Sequence, residues 1–309
     1  MGRLWQLLCI IGGIPFGVTA FGMSMALRAP SGFPPVVILP GFGNDAKDYM
    51  NPLGLGEERA FASALQRRGF ETFVVPVERP EWFKVALAVF TPGFWTGTCR
   101  PDGVAYEWYL QKVKDTVASC RKSTGSGKVL LVGHSAGGWL ARAAMGAGDW
   151  EDAILSEDVV AGLVTLGTPH FAGPMDMTRG ALAYTNRAYP GAFLKKRGIS
   201  YVTVAGDAVQ GDKDAPRRSR RRFAYGSYQT VCGEGATTGD ACVPLGSAHL
   251  DGALQITLEG VYHSVDTPDQ WYGSESVVDR WLEAVVGEIC PPPPPFRLAL
   301  PQALANLWR

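Results

Sequence analysis

The sequence predicts an α/β fold: a mostly parallel central sheet flanked by helices. Three observations carry that expectation. Short apolar runs of strand length alternate with segments of helical period, one run leads directly into a glycine-rich turn and then a helix, and 46% of the 309 residues are hydrophobic. Strands separated by helices imply right-handed crossovers, and those build parallel strand pairs with helices over both faces. The length suits one large domain with a substantial core.

The elements follow in chain order. Ala29 to Pro35, with three prolines and a glycine, reads as a linker into the folded domain. Val36 to Leu39 is a buried strand ending in the tight loop Pro40-Gly41-Phe42-Gly43. Glu57 to Arg68 reads as a helix stopped by Gly69, and Thr72 to Val77 as a second buried strand. Ala105 to Cys120 has helical spacing, and Lys128 to Val132 is a continuous apolar strand. After it come Gly133-His134-Ser135-Ala136-Gly137-Gly138 and a helix over Trp139 to Met145. Leu163 to Leu166 and Tyr201 to Val204 are further buried strands, with Leu254 to Val261 the last and Ser274 to Val286 the final helix. Pro291 to Pro295 must be extended. Trp82 to Trp95 and Thr178 to Arg197 have no clear strand period, and either could cap the site. The expected organisation is a hydrophobic signal or membrane anchor over 1–30, a catalytic domain over 35–288 and a Pro-rich tail over 289–309.

The amino-terminal expectation rests on charge. Leu4 to Leu27 contains no charged residue and lies between Arg3 and Arg28, and about 20 uncharged residues can span a bilayer. Lys plus Arg equals Asp plus Glu at 29 each, so no global field recruits nucleic acid. Six cysteines form no C-x-x-C pair and no histidine stands at ligand spacing, so neither a metal nor a cofactor is expected. Cys232 and Cys242 bracket a glycine-rich loop and could close a disulfide in an oxidising compartment. Arg217, Arg218, Arg220, Arg221 and Arg222 form a basic cluster, readable as a solvated loop or as a contact for anionic lipid.

Gly133-His134-Ser135-Ala136-Gly137 fits G-x-S-x-G between an apolar strand and a helix start, the context a serine nucleophile needs. A serine hydroxyl attacks only when held in a sharp turn beside a base. Of four histidines, His134 adjoins Ser135 and His170 comes too early for the chain order nucleophile, acid, histidine. His263, directly after the last strand, is preferred to His249 as the base, because sites in open α/β sheets collect at the strands' carboxyl edge. The orienting acid is Asp240, in Gly239-Asp240-Ala241-Cys242-Val243-Pro244, with Asp207 as the alternative. The oxyanion donors are the backbone N–H groups of Ala136 and Phe42.

Gly133 to Gly138, Leu166-Gly167-Thr168-Pro169-His170, the Asp240 loop and His263 together resemble the lipase-like α/β-hydrolases over roughly Pro35 to Val286. The pairing of Gly-His-Ser-x-Gly-Gly with Leu-Gly-Thr-Pro-His also resembles the catalytic domain of GPI inositol-deacylases, although the long array of carboxyl-terminal spans of that family is lacking. The chain is similar, too, to uncharacterised plant and algal α/β-hydrolases. These resemblances imply a carboxylic-ester hydrolase using an acyl-enzyme, with an acyl-lipid or small-ester substrate. They imply a location on an endoplasmic reticulum or secretory-pathway membrane, or in a plastid. An acyltransferase and a non-catalytic scaffold on the same fold are the rival expectations.

Overall fold

Four consecutive apolar residues, Val36–Leu39 (β1), are all buried, which requires a strand covered on both faces. A computed structural model of the chain describes residues 27–146, 155–174 and 176–290. In it β1 pairs in parallel with β2 (Thr72–Val74) and with β3 (Val129–His134). Beyond β3 lie β4 (Val160–Leu166) and β5 (Ser200–Gly206). A separate antiparallel ribbon joins β6 (Val209–Gln210) to β7 (Thr238–Gly239). β8 (Leu254–Leu258) completes a six-stranded parallel sheet in the order β2-β1-β3-β4-β5-β8.

Helices cover the sheet as the alternation requires. In chain order they are α1 (Lys47–Met50), α2 (Phe61–Arg67), α3 (Pro92–Thr96), α4 (Glu107–Thr124), α5 (Ala136–Gly146), α6 (Ala181–Ala188), α7 (Arg220–Cys232), α8 (Leu245–Ala248) and α9 (Glu275–Ile289). Side chains alternate across each strand, so the sheet divides two cores. Val37, Leu39, Val129 and Leu131 pack with Tyr109, Val113, Trp139 and Leu140 of α4 and α5. Val36, Ile38, Leu130 and Val132 pack with Phe61, Leu65, Val278 and Trp281 of α2 and α9. Each fully buried large apolar side chain contributes about 1.5–3 kcal/mol, so this two-sided burial supplies the rigid platform on which the strand ends sit. Arg68, buried at 2% exposure, clamps α2 to α9 through Asp279 at 2.6 and 2.8 Å and Glu275 at 2.8 Å.

The structure corrects several expectations. The helix expected over Glu57 to Arg68 is broken at Ala60, whose extended backbone separates a short 3-10 turn, Glu57–Arg59, from α2. The strand expected to reach Val77 ends at Val74, because Pro76 has no N–H to continue the ladder, and it is a half-buried edge rather than a buried strand. The last strand ends at Leu258, before a turn in which Gly260 has φ +71°, and as the opposite edge it is mostly exposed. Trp82 to Trp95 forms 3-10 turns (Arg79–Phe90) followed by α3. Thr178 to Arg197 contains α6, whose Ala181 and Leu182 are buried in the α4–α5 core, so this segment buttresses α5. Cys232 and Cys242 are not bridged. The Cys232 thiol donates to the Glu234 carbonyl, while the Cys242 carbonyl is held by Ser227, five residues back along α7 and so about 7.5 Å from Cys232 along the axis.

Residues 1–26 of the expected anchor and 291–309 of the expected tail lie outside the described residues. Among the described residues no helix is long and apolar enough to cross a membrane.

Candidate active site

Ser135 stands between the end of β3 and the start of α5, with φ +52°. A left-handed conformation is disfavoured for any residue with a Cβ and persists only where the surroundings enforce it. They do so here by close backbone approach. A Cβ on Gly133 would stand 2.4 Å from Gly138 Cα, and one on Gly137 would stand 2.4 Å from the Leu39 carbonyl oxygen. The glycines at these two positions therefore let β1, β3 and α5 converge. The Ser135 N–H donates to the Leu166 carbonyl at 2.9 Å, and Thr168 Oγ1 donates to the Ser135 carbonyl at 2.8 Å, fastening the turn to the end of β4.

The turn presents the Ser135 hydroxyl to His263. Ser135 Oγ lies 2.9 Å from His263 Nε2, and His263 Nδ1 lies 2.7 Å from Asp240 Oδ2. A carboxylate only accepts, so the ring donates from Nδ1 and leaves Nε2 as the acceptor facing the Ser135 hydroxyl. Asp240 and His263 are also joined through the backbone, the His263 N–H donating to the Asp240 carbonyl at 2.8 Å. Asp240 is 1% exposed and His263 8%, so water reaches neither freely.

Asp240 is held from every side. Its Oδ1 accepts from the N–H groups of Cys242 at 3.0 Å and Val243 at 2.7 Å, an Asx turn made by its own loop. Its Oδ2 accepts from the Tyr272 hydroxyl at 2.8 Å. Sequence reasoning missed Tyr272. It also missed the role of Tyr49, whose hydroxyl accepts from the Gly41 N–H and Asn44 Nδ2 and so donates to His134 Nδ1 at 2.7 Å. His134 Nε2 then donates to the His263 carbonyl at 2.9 Å. Burial pushes the His134 imidazole down to about 3, with the nearby His263 ring adding to the shift, so His134 is a neutral strut behind the base. No local spacing ties Tyr49 or Tyr272 to these partners, which are reached only through the fold.

The remaining candidates separate cleanly. Asp207 lies at the end of β5 but accepts from the Gly260 N–H at 2.9 Å, bracing the turn ahead of His263 instead of meeting its ring. His170 is buried against Thr165 and Arg142, and His249 spans Thr203 and Thr257 on the β5–β8 edge. Ala136, the first residue of α5, follows Ser135 directly, and Gly41 packs so close that a Cβ there would stand 2.8 Å from Ser135 Cβ. Phe42 follows, its ring 57% exposed and edge-on to Trp82 at 5.0 Å. Among the described residues neither the Phe42 nor the Ala136 N–H donates to a protein acceptor. Also among them, no three His, Cys, Asp or Glu side chains are grouped to hold a metal ion. Beside the site opens a cavity of about 490 Å³, lined in part by Asp240, Tyr262, His263 and the arginine-bearing turn before α7.

Residues 36–305 match the family described as "Alpha/beta hydrolase family". No curated protein matches the chain. Similar solved structures include the mature lipase BlEst2 of Bacillus licheniformis, 17% identical over 84% of this chain and 92% of that one, with a TM-score of 0.47. A Paleococcus ferrophilus monoacylglycerol lipase is 12% identical over 83% and 95%, with a TM-score of 0.40. The Bacillus subtilis carboxylesterase CesB (YbfK) is 11% identical over 85% and 86%, with a TM-score of 0.38.

Proposed function

The chain belongs to the alpha/beta hydrolase family, and from that premise we propose that it is a serine carboxylic-ester hydrolase acting on an acyl lipid through an acyl-enzyme. The observation that carries the reading is the continuous relay from Ser135 Oγ through His263 to Asp240, at 2.9 and 2.7 Å. In this mechanism Ser135 Oγ attacks the ester carbonyl carbon as His263 Nε2 takes its proton. The tetrahedral oxyanion is met by the N–H groups of Ala136 and Phe42, each such donor being worth about 10²–10³ in rate. Collapse breaks the carbonyl–alkoxide bond, and His263 gives the proton to the departing alcohol. Water then attacks the acyl-serine while His263 takes a proton from it, and release of the carboxylic acid returns that proton to Ser135. Asp240 holds the ring tautomer and stabilises the imidazolium throughout.

The acyl-lipid assignment is supported by exposed apolar side chains around the Phe42 loop: Phe42 itself at 57%, and Phe83, Phe90 and Trp95 at 79, 84 and 69% along the segment that meets it through Trp82. The uncharged run from Leu4 to Leu27 is consistent with membrane association, which deletion of residues 1–28 would abolish. The experiment for the chemistry is fluorophosphonate labelling of wild type, Ser135→Ala and His263→Ala, followed by turnover of p-nitrophenyl esters of graded chain length. Labelling and hydrolysis by wild type alone are expected. A folded wild type that neither labels nor turns over would sink the reading.

A further inference from the structure

We propose that the cavity beside His263 binds a phosphate or carboxylate carried by the alcohol half of the ester, with Arg217, Arg218 and Arg222 as its receptors. The inference rests on the ester-hydrolase reading and names the substrate class of that same site. In this proposal His263 hands its proton to the departing alcohol, and that half of the substrate lies along the base's own loop. That space is the cavity of about 490 Å³ whose wall includes His263, Ser264 and Tyr262 on one side and the turn Arg217–Ser219 with the start of α7 on the other.

Charge in the cavity is lopsided. Four arginines line it (Arg217, Arg218, Arg220 and Arg222), against the carboxylates of Asp240 and Asp266, and Asp240 already faces His263. Two members of the basic run are committed elsewhere: Arg220 lies over the Tyr262 ring at 4.7 Å, and Arg221 pairs with Asp212 at 3.1 Å. Arg220 thereby anchors the basic turn one residue from the base. The helix dipole does not favour the arrangement. Arg220, Arg221 and Arg222 occupy the first turn of α7, which holds no acidic residue, and cations at a helix amino end are disfavoured by its dipole. Phe223 and Ala241 add apolar wall beside the arginines. A planar guanidinium fork matches the oxygens of phosphate and carboxylate, which neutral glycerides and simple esters do not offer.

The test compares two water-soluble esters of equal acyl length, 1-butanoylglycerol 3-phosphate and 1-butanoylglycerol, on wild type and on Arg217→Ser/Arg218→Ser/Arg222→Ser. Arg220 and Arg221 are spared because one stacks and the other is paired. Wild type is expected to favour the phosphate ester by about ten-fold or more in kcat/KM, mostly through KM, as one charge-assisted contact supplies about that factor. The triple variant should bring the ratio close to one, and raised salt should erode it in wild type. A wild-type ratio at or below one, or a ratio the variant leaves intact, overturns the proposal. So does a variant that keeps the ratio while losing binding to phosphatidylserine vesicles, which would assign the arginines to a membrane surface. Hydrolysis of p-nitrophenyl butyrate without the preference removes the anion site alone. If no ester is turned over, the hydrolase reading fails, and calorimetry with glycerol 3-phosphate then decides the site by itself: binding lost in the triple variant supports it, and no binding to wild type overturns it.

Discussion

The Tyr272 hydroxyl and His263 Nδ1 converge on one oxygen of Asp240, at 2.8 and 2.7 Å. Tyr272 is itself fixed, since its oxygen accepts from the Gly206 N–H at 2.8 Å. Burial, with the neighbouring Asp240 charge, holds the phenol well above its ordinary range, so it remains a donor at any working pH. Tyr272 is thus a positioning residue that sets where the carboxylate points. Tyr272→Phe is expected to lower kcat by about ten-fold with little change in KM, the worth of one hydrogen bond to a charged group. Steady-state kinetics on p-nitrophenyl butyrate measure it, and an unchanged kcat would remove Tyr272 from the relay.

Asp240 and Asp207 make opposite predictions. Asp240→Asn presents an amide to His263 Nδ1 and disturbs the tautomer, so kcat should fall by about 10³–10⁴. Asp207→Asn can still accept from the Gly260 N–H and should leave kcat near wild type. If the two variants exchange these outcomes, the acid has been misassigned.

Gly137→Ala should break the serine turn. Its Cβ would meet the Leu39 carbonyl oxygen at 2.4 Å, backbone against backbone, with no flexible atom to yield. Overpacking of this kind costs about 1–3 kcal/mol, so Tm should drop by several degrees and fluorophosphonate labelling with it. Gly127→Ala, which meets nothing within 4 Å, is the matched control and should leave both unchanged. Thermal melts and fluorophosphonate labelling of the pair would decide the point.

His134 makes stability depend on pH. Its folded imidazole is pushed from 6.5 to about 3, so between those values the unfolded chain binds a proton that the folded protein refuses. Stability therefore rises with pH in this window and is lost as pH falls from about 6.5 toward 3. His170, also forced well below its ordinary value by burial, acts in the same direction. Tm should decline from pH 7 to pH 4.5, and His134→Gln, already weaker at pH 7, should show a shallower decline over that range. An equal slope in both proteins would show that His134 does not contribute.

Legibility varied along the chain according to how local the deciding interactions were. The apolar run ending at Val132 and the Gly-x-Ser-x-Gly turn after it were readable because strand burial and turn chemistry act over a few residues. The edges were misjudged for the complementary reason. Thr72 to Val74 and Leu254 to Leu258 are apolar enough for a buried strand, yet only strand order decides that they stand at the two edges of the sheet, one half-buried and one mostly exposed. Asp207 and Asp240 could not be separated by topology, since both follow β5 and precede His263.

The sequence by itself determined the alternation of strands and helices, the identity of the serine turn and the short set of carboxylates and histidines from which a relay could be built. The tertiary structure decided which of them meet. Ser135 and His263 lie 128 residues apart, and Tyr272, Tyr49 and the arginine turn reach the site from separate segments of the chain. Their contacts depend on where six strand ends stand in one sheet, and that arrangement is fixed by burial of two cores rather than by any residue's near neighbours.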